Sequence, residues 1–126
     1  MLRIEVEPRA RYLYVAVTGD FTSDSAEAAY RALLQAAIRH GSSRVLMDCS
    51  RVQGTMDASQ RLAFGSFMAE EQARMRAQLP PDFSIAIHAV APLMDPAHYV
   101  QVVSNNRGVR SKSSDDLQEL LSWLGV

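Results

Sequence analysis

The chain has 126 residues, 48% hydrophobic and 21% charged, with a formal net charge of −1. That length and apolar content supply one buried core, which excludes a disordered chain and predicts a single domain over residues 1–126. The charge lacks the basic excess that a phosphate backbone or an anionic membrane surface demands, so neither nucleic acid nor a polybasic membrane patch is expected.

The only cysteine, Cys49, excludes an internal disulfide and fits a reducing compartment. No run approaches the roughly 20 apolar residues of a membrane span. The opening Met1–Glu7 alternates charged and apolar residues, unlike a signal peptide. A cytoplasmic location is expected.

Ile4 and Val6 alternate with Arg3, Glu5 and Glu7, which predicts a half-exposed edge strand. Pro8–Arg11 makes a hairpin loop, and Tyr12–Thr18, apolar on both faces, makes an interior strand. After the Gly19–Ser23 turn, the stripe Ala26, Tyr30, Leu33, Leu34, Ala37 and Ile38 predicts a helix to about His40, closed by Gly41. Arg44–Cys49 is a short apolar run around Asp48, followed by a turn with Gly54, and reads as a buried strand.

A long helix is expected from Ala58 to about Leu79, with Asp57 as N-cap and Pro80-Pro81 as terminator. Glu71 falls within its apolar stripe. A buried lone carboxylate is costly, so the second half of this helix should project past the sheet. Phe83–Val90 is the next strand. Asp95 with Pro96 should start a short helix that Gly108 closes, and Val109–Lys112 is the last strand. Ser113–Asp116 caps a final helix carrying Leu117, Leu120, Leu121, Trp123 and Leu124. The order ββαβαβαβα predicts an α/β fold. Its mixed, mostly parallel sheet has four to five strands, with an antiparallel first strand and four helices.

Val17-Thr18-Gly19-Asp20-Phe21, Val45-Leu46-Met47-Asp48 with Val52 and Gly54, Asn106-Arg107-Gly108-Val109 and Leu120–Leu124 occur in an order that resembles the STAS/SpoIIAA-like family. These small α/β domains are related to anti-sigma-factor antagonists. Within the family the chain is most similar to lone-standing SpoIIAA-like proteins, whose fold also resembles lipid-carrying CRAL-TRIO domains. The resemblance implies a non-enzymatic interaction or regulatory module with a protein partner and no cofactor, and as an alternative a carrier of a small apolar or amphipathic ligand. The antagonists carry Asp-Ser-Ser/Thr-Gly at the start of the second helix and are phosphorylated on the first serine. Here the matching segment is Asp57-Ala58-Ser59-Gln60. Alanine holds the acceptor position, the glycine is absent, and Ser59 is a displaced candidate acceptor at a helix N-terminus.

In open α/β sheets ligands and partners meet the rim at the strand C-termini. The partner-binding rim is therefore expected to comprise Asp48, Ser50, Asp57, Ser59 and Arg107, with Arg107 pairing with Asp48 or holding an anionic group. Apolar residues on more than one side of the second helix point to a homodimer. Ser84, Ala86 and His88 form an unusually small strand face. They would either admit a closely packed helix or, with Phe64, Met68 and Met94, line a ligand cavity. A nucleophile at Cys49 or Ser50 would need His88 as its base. The three histidines are scattered without ligand spacing, so no metal is expected.

Overall fold

A computed structural model describes residues 1–126 as β1 (Leu2–Pro8), β2 (Leu13–Asp20), α1 (Ser23–His40), β3 (Arg44–Gln53), α2 (Ala58–Arg74), β4 (Ser84–His88), α3 (Tyr99–Asn106), β5 (Arg110–Ser114) and α4 (Leu117–Leu124). The five strands lie side by side in chain order, β1 antiparallel to β2 and all later pairs parallel. No helix is long and apolar enough to cross a membrane.

Strand alternation divides the core between two faces. Leu13, Val15 and Val17 of β2, Val45, Met47 and Cys49 of β3, and Ile85 and Ile87 of β4 face α1 and α2. Tyr30 of α1 is fully buried there and meets the edges of Phe64 and Phe67, with ring centroids 6.0 and 6.3 Å apart. On the other face Leu46 and Ala86 pack against Leu120 and Leu124 of α4, with Tyr12 and Tyr14 beside them. The small Ala86 thus admits a closely packed helix.

Five local expectations change. β3 runs on to Gln53, four residues beyond the expected Cys49, with Arg51–Gln53 pairing with Thr18–Asp20 of β2. α2 ends at Arg74, and Met75–Leu79 continues as turns. Glu71 does not project past the sheet: it is buried against α1, accepts from Arg31 Nε at 3.3 Å, and is also bonded by Arg74. Two guanidinium groups satisfy the carboxylate: Arg74, three residues along the same helix, and Arg31 from α1. They hold its carboxyl below the usual range, the Arg74 hydrogen bond contributing most.

The third helix starts at Tyr99 rather than at Asp95, because His98 takes a left-handed backbone (φ 52°) that no helix can include. Asp95 instead accepts from Tyr99 N at 3.1 Å. The last strand runs Arg110–Ser114, two residues beyond the expected end.

α3 also closes the β5 edge. Gln101 Oε1 accepts from Ser113 N at 2.7 Å, and Asn105 Oδ1 accepts from Ser111 N at 3.0 Å. A helix rises about 6 Å over four residues, and a strand advances about 6.6 Å over two. An i,i+4 amide pair therefore matches every second outward N–H of an edge strand. Such a strand would otherwise template pairing with another chain.

Candidate functional site

Asp48 organises the α4 face of the sheet. Its strand neighbours Ala16 and His88 lie level with it on β2 and β4. Asp48 Oδ2 accepts from Tyr14 Oη at 2.5 Å, and Oδ1 accepts from both Ser50 N at 3.0 Å and Ser50 Oγ at 2.7 Å. His88 Nδ1 lies 3.2 Å from the same Oδ1, misaligned for a hydrogen bond, while His88 Nε2 faces the Asp115 carbonyl at 3.3 Å. Burial pushes the Asp48 carboxyl up, but hydrogen bonds from Tyr14 and Ser50 and the nearby His88 together bring it below its ordinary value. The same short bond, with burial, pushes the Tyr14 phenol up to about 12.

This geometry bears on nucleophilic chemistry. A serine nucleophile needs an imidazole between itself and the carboxylate. Here the carboxylate stands between serine and imidazole, and Ser50 Oγ donates to Asp48 rather than to His88. A Cys49–His88 pair, which a nucleophile at Cys49 would need, is excluded by alternation: Cys49 is a buried core cysteine facing α1 and α2, and His88 is on the α4 side. Burial pushes the Cys49 thiol up to about 12. In the native protein Cys49 should react with a thiol reagent at least about a hundred-fold more slowly than in denaturant, because thiolate and access are both withheld. Timed labelling read by mass spectrometry checks this, and labelling at the denatured rate would contradict it.

The expected rim residues fall into three places. Asp48 and Ser50 are part-buried and bonded to one another. Asp57 and Ser59 are exposed where α2 begins. Asp57 caps that helix: its Oδ1 accepts from Gln60 N at 2.7 Å, and Gln60 Oε1 accepts from Asp57 N at 2.8 Å.

Arg107 is not on the rim. It precedes Arg110, which lies level with Ser84 at the N-terminal end of the parallel strands. Asp48 lies level with His88 at the other end, so an Arg107–Asp48 pair is ruled out.

The six expected cavity residues also separate. Phe64 and Met94 do line a mainly apolar cavity of about 80 Å3, with Met47, Cys49, Ile87 and Phe21 among its other walls. Met68 is fully buried in the core beside it. Ala86, and with it Ser84 and His88 by strand alternation, belongs to the opposite face.

The polar edge of the cavity was not foreseen. Arg61 Nε lies 3.4 Å from Asp95 Oδ1, Arg61 Nη2 donates to the Leu93 carbonyl at 3.2 Å, and His98 Nδ1 meets Ser113 Oγ at 2.8 Å. An aspartate placed to cap a helix gave no sequence signal that it would instead hold Arg61. A cavity of about 150 Å3 holds one benzene, so the space seen here holds no acyl chain without expansion. No group of three His, Cys, Asp or Glu side chains gathers to hold a metal ion.

Five strands in this order, three helices against one face and one against the other, define a SpoIIAA-like α/β fold. The chain is similar over its whole length to the crystal structure of an anti-sigma factor antagonist from Mycobacterium paratuberculosis. That match has a TM-score of 0.62 at 14% identity and covers 96% of the antagonist. It is similar over 98% of its length to an uncharacterised protein with a SpoIIAA-like fold from Shewanella loihica PV-4, with a TM-score of 0.53 at 20% identity and 93% of that chain covered. No family model and no curated protein matches the sequence. At these identities the likeness establishes the fold.

Proposed function

We propose that this protein is a non-enzymatic, cytoplasmic regulatory module of the STAS type. It would engage a protein partner through the β3–α2 segment, residues 51–59, and the exposed flank of α2. The observation that carries this reading is the exposed, capped start of α2. Thr55, Asp57, Ala58 and Ser59 stand in solvent at and just before the capped helix start, while the reactive-looking Cys49 and Ser50 are tied into the fold. The likeness to the Mycobacterium anti-sigma factor antagonist supports a protein partner.

Ser59 is the candidate phosphoacceptor. Phosphate placed there would meet free N–H groups of the first helical turn and the positive end of the helix dipole. The partner could be a second copy, since Leu62 is exposed on the same helix.

A photo-crosslinking residue in place of Thr55 should capture a discrete partner, or a second copy, in the producing cells. One in place of Glu5, on the edge strand, should not. Equal capture at both positions would sink the reading. The second reading, a carrier, is favoured by the cavity beneath α2. Native mass spectrometry showing a retained apolar compound, with no capture at residue 55, would replace the first reading with it.

A further inference from the structure

The net charge of −1 conceals two charged ends. Because β2 to β5 run parallel, every turn that enters a strand from a helix or hairpin lies at one end of the sheet. That end carries Arg11 in the β1–β2 hairpin, Arg39 and Arg44 around the α1–β3 turn, Arg76 after α2, and Arg107 and Arg110 around the α3–β5 turn. All six are exposed. Of these six only Arg110 has an acidic neighbour, Asp82 at a loose 3.8 Å; a seventh arginine of this end, Arg9 in the same hairpin as Arg11, is paired with Glu7 at 3.0 Å. The opposite end carries Asp20, Asp57, Asp115 and Asp116, with Arg3 and Arg51 beside Thr18 near the same end.

Helix dipoles explain part of this. A helix C-terminus carries about half a negative charge, which a cation such as Arg39 or Arg107 complements. They do not explain Arg11 in a hairpin, nor Arg110, which opens β5; Arg44, which opens β3, sets its guanidinium beside Gly125 at the C-terminus of α4. An open trough of about 360 Å3 lies at the same end between the α2–β4 connection and the α3–β5 turn, with Arg76, Arg110, Gln72 and the exposed Asp82 among its walls.

We infer that this basic end is a second interaction surface, which docks an acidic segment of a protein partner and seats a carboxylate between Arg76 and Arg110. A guanidinium is a planar fork that takes a carboxylate with two parallel hydrogen bonds; Arg76 has no ion partner to give up, and Arg110 has only the loose, exposed contact with Asp82. A long polyanion such as a nucleic acid gains affinity by releasing counterions along an unbroken basic track. Asp82 and the helix-end carbonyls interrupt this one. A short acidic segment needs only carboxylate-sized seats. The surface is remote from the α2 rim, so it stands or falls separately from the function proposed above.

The test is fluorescence anisotropy of a labelled oligoglutamate peptide titrated with the full chain, beside oligoglutamine, a single-stranded oligonucleotide of equal charge, and phosphatidylserine vesicles. Oligoglutamate should bind at low salt and weaken as salt screens the pair. Arg76→Gln with Arg110→Gln should reduce its affinity about tenfold or more, and Arg3→Gln, distant from this end, should leave it unchanged. Binding no tighter than that of oligoglutamine would overturn the inference, as would full affinity in the double variant. Tighter binding of the oligonucleotide or the vesicles would assign the surface to that partner instead. Loss of partner capture at residue 55 with this binding intact would remove the rim reading alone.

Discussion

Gly65→Val should destabilise the protein by about 3 kcal/mol, lowering its melting temperature by roughly 10 °C. A Cβ at Gly65 would stand 2.8 Å from Val103 Cβ and 2.9 Å from its Cγ1, and 3.1 Å from the Val100 carbonyl oxygen. The first two belong to a short, stiff β-branched side chain and the third to backbone, so none can move aside alone. Valine adds two methyls to that clash, and α3 must lift from α2.

Lifting α3 also withdraws Gln101 and Asn105 from the β5 edge. The amides of Ser111 and Ser113 should then exchange with solvent at least about tenfold faster than in the parent chain. Gly65→Ala should show the same trend at about 1 kcal/mol. Thermal melts and hydrogen exchange of the variants check both effects. A valine variant melting with the parent would mean that the α2–α3 contact is not the close helix crossing described above.

Asp48→Ala should cost about 3 kcal/mol, because it strands several donors at once. The Tyr14 hydroxyl, the Ser50 amide and the Ser50 hydroxyl all give their hydrogen bonds to this carboxylate. Asp48→Asn should cost less, since one amide oxygen still accepts, but it should change the pH profile.

The Asp48 carboxyl lies below its ordinary value of 3.8 in the folded protein. Its contribution to stability is therefore complete above that value and is lost as pH falls through the lower folded-state value. The parent should thus weaken on acidification below about pH 4, with Glu71, lowered in the same direction, contributing to the slope. The asparagine variant should keep the Glu71 part of that slope and lose the Asp48 part. Denaturant melts between neutral and acid pH read the difference. Parallel curves for parent and variant would show that Asp48 is not held below its ordinary value.

Much of this architecture was legible in the residues. The alternation of β1, the doubly apolar β2 and the 3.6-residue stripe of α1 each follow from local pattern, and so did their order. Gly41 ends α1 in the left-handed conformation (φ 62°), and Asp57 caps α2, as their residue types require.

The errors arose where one residue's state depends on another distant in sequence. Glu71 is buried because Arg31, 40 positions away and on its own helix part of the wet surface, joins the local i,i+3 partner Arg74 on the carboxylate. The cavity residues were gathered from both faces of one sheet because spacing along a chain does not say which face a neighbouring strand presents to a given helix. Arg107 was placed on the rim because a turn between helix and strand exists at both ends of a parallel sheet. Only the register shows that this one lies with Ser84 and not with His88.

Local chemistry, then, was enough to determine which segments become strands and helices, and that they layer as a mixed sheet between helices. Backbone geometry and apolar period act over a few neighbours, and a single sequence displays those neighbours in full. What tertiary structure alone decided was the company each polar group keeps: Asp48 with Tyr14, Ser50 and His88, Arg61 with Asp95, and six arginines collected at one end of a nearly neutral chain. Coulomb and hydrogen-bond energies depend on distance in space, and a linear sum of charges records none of it.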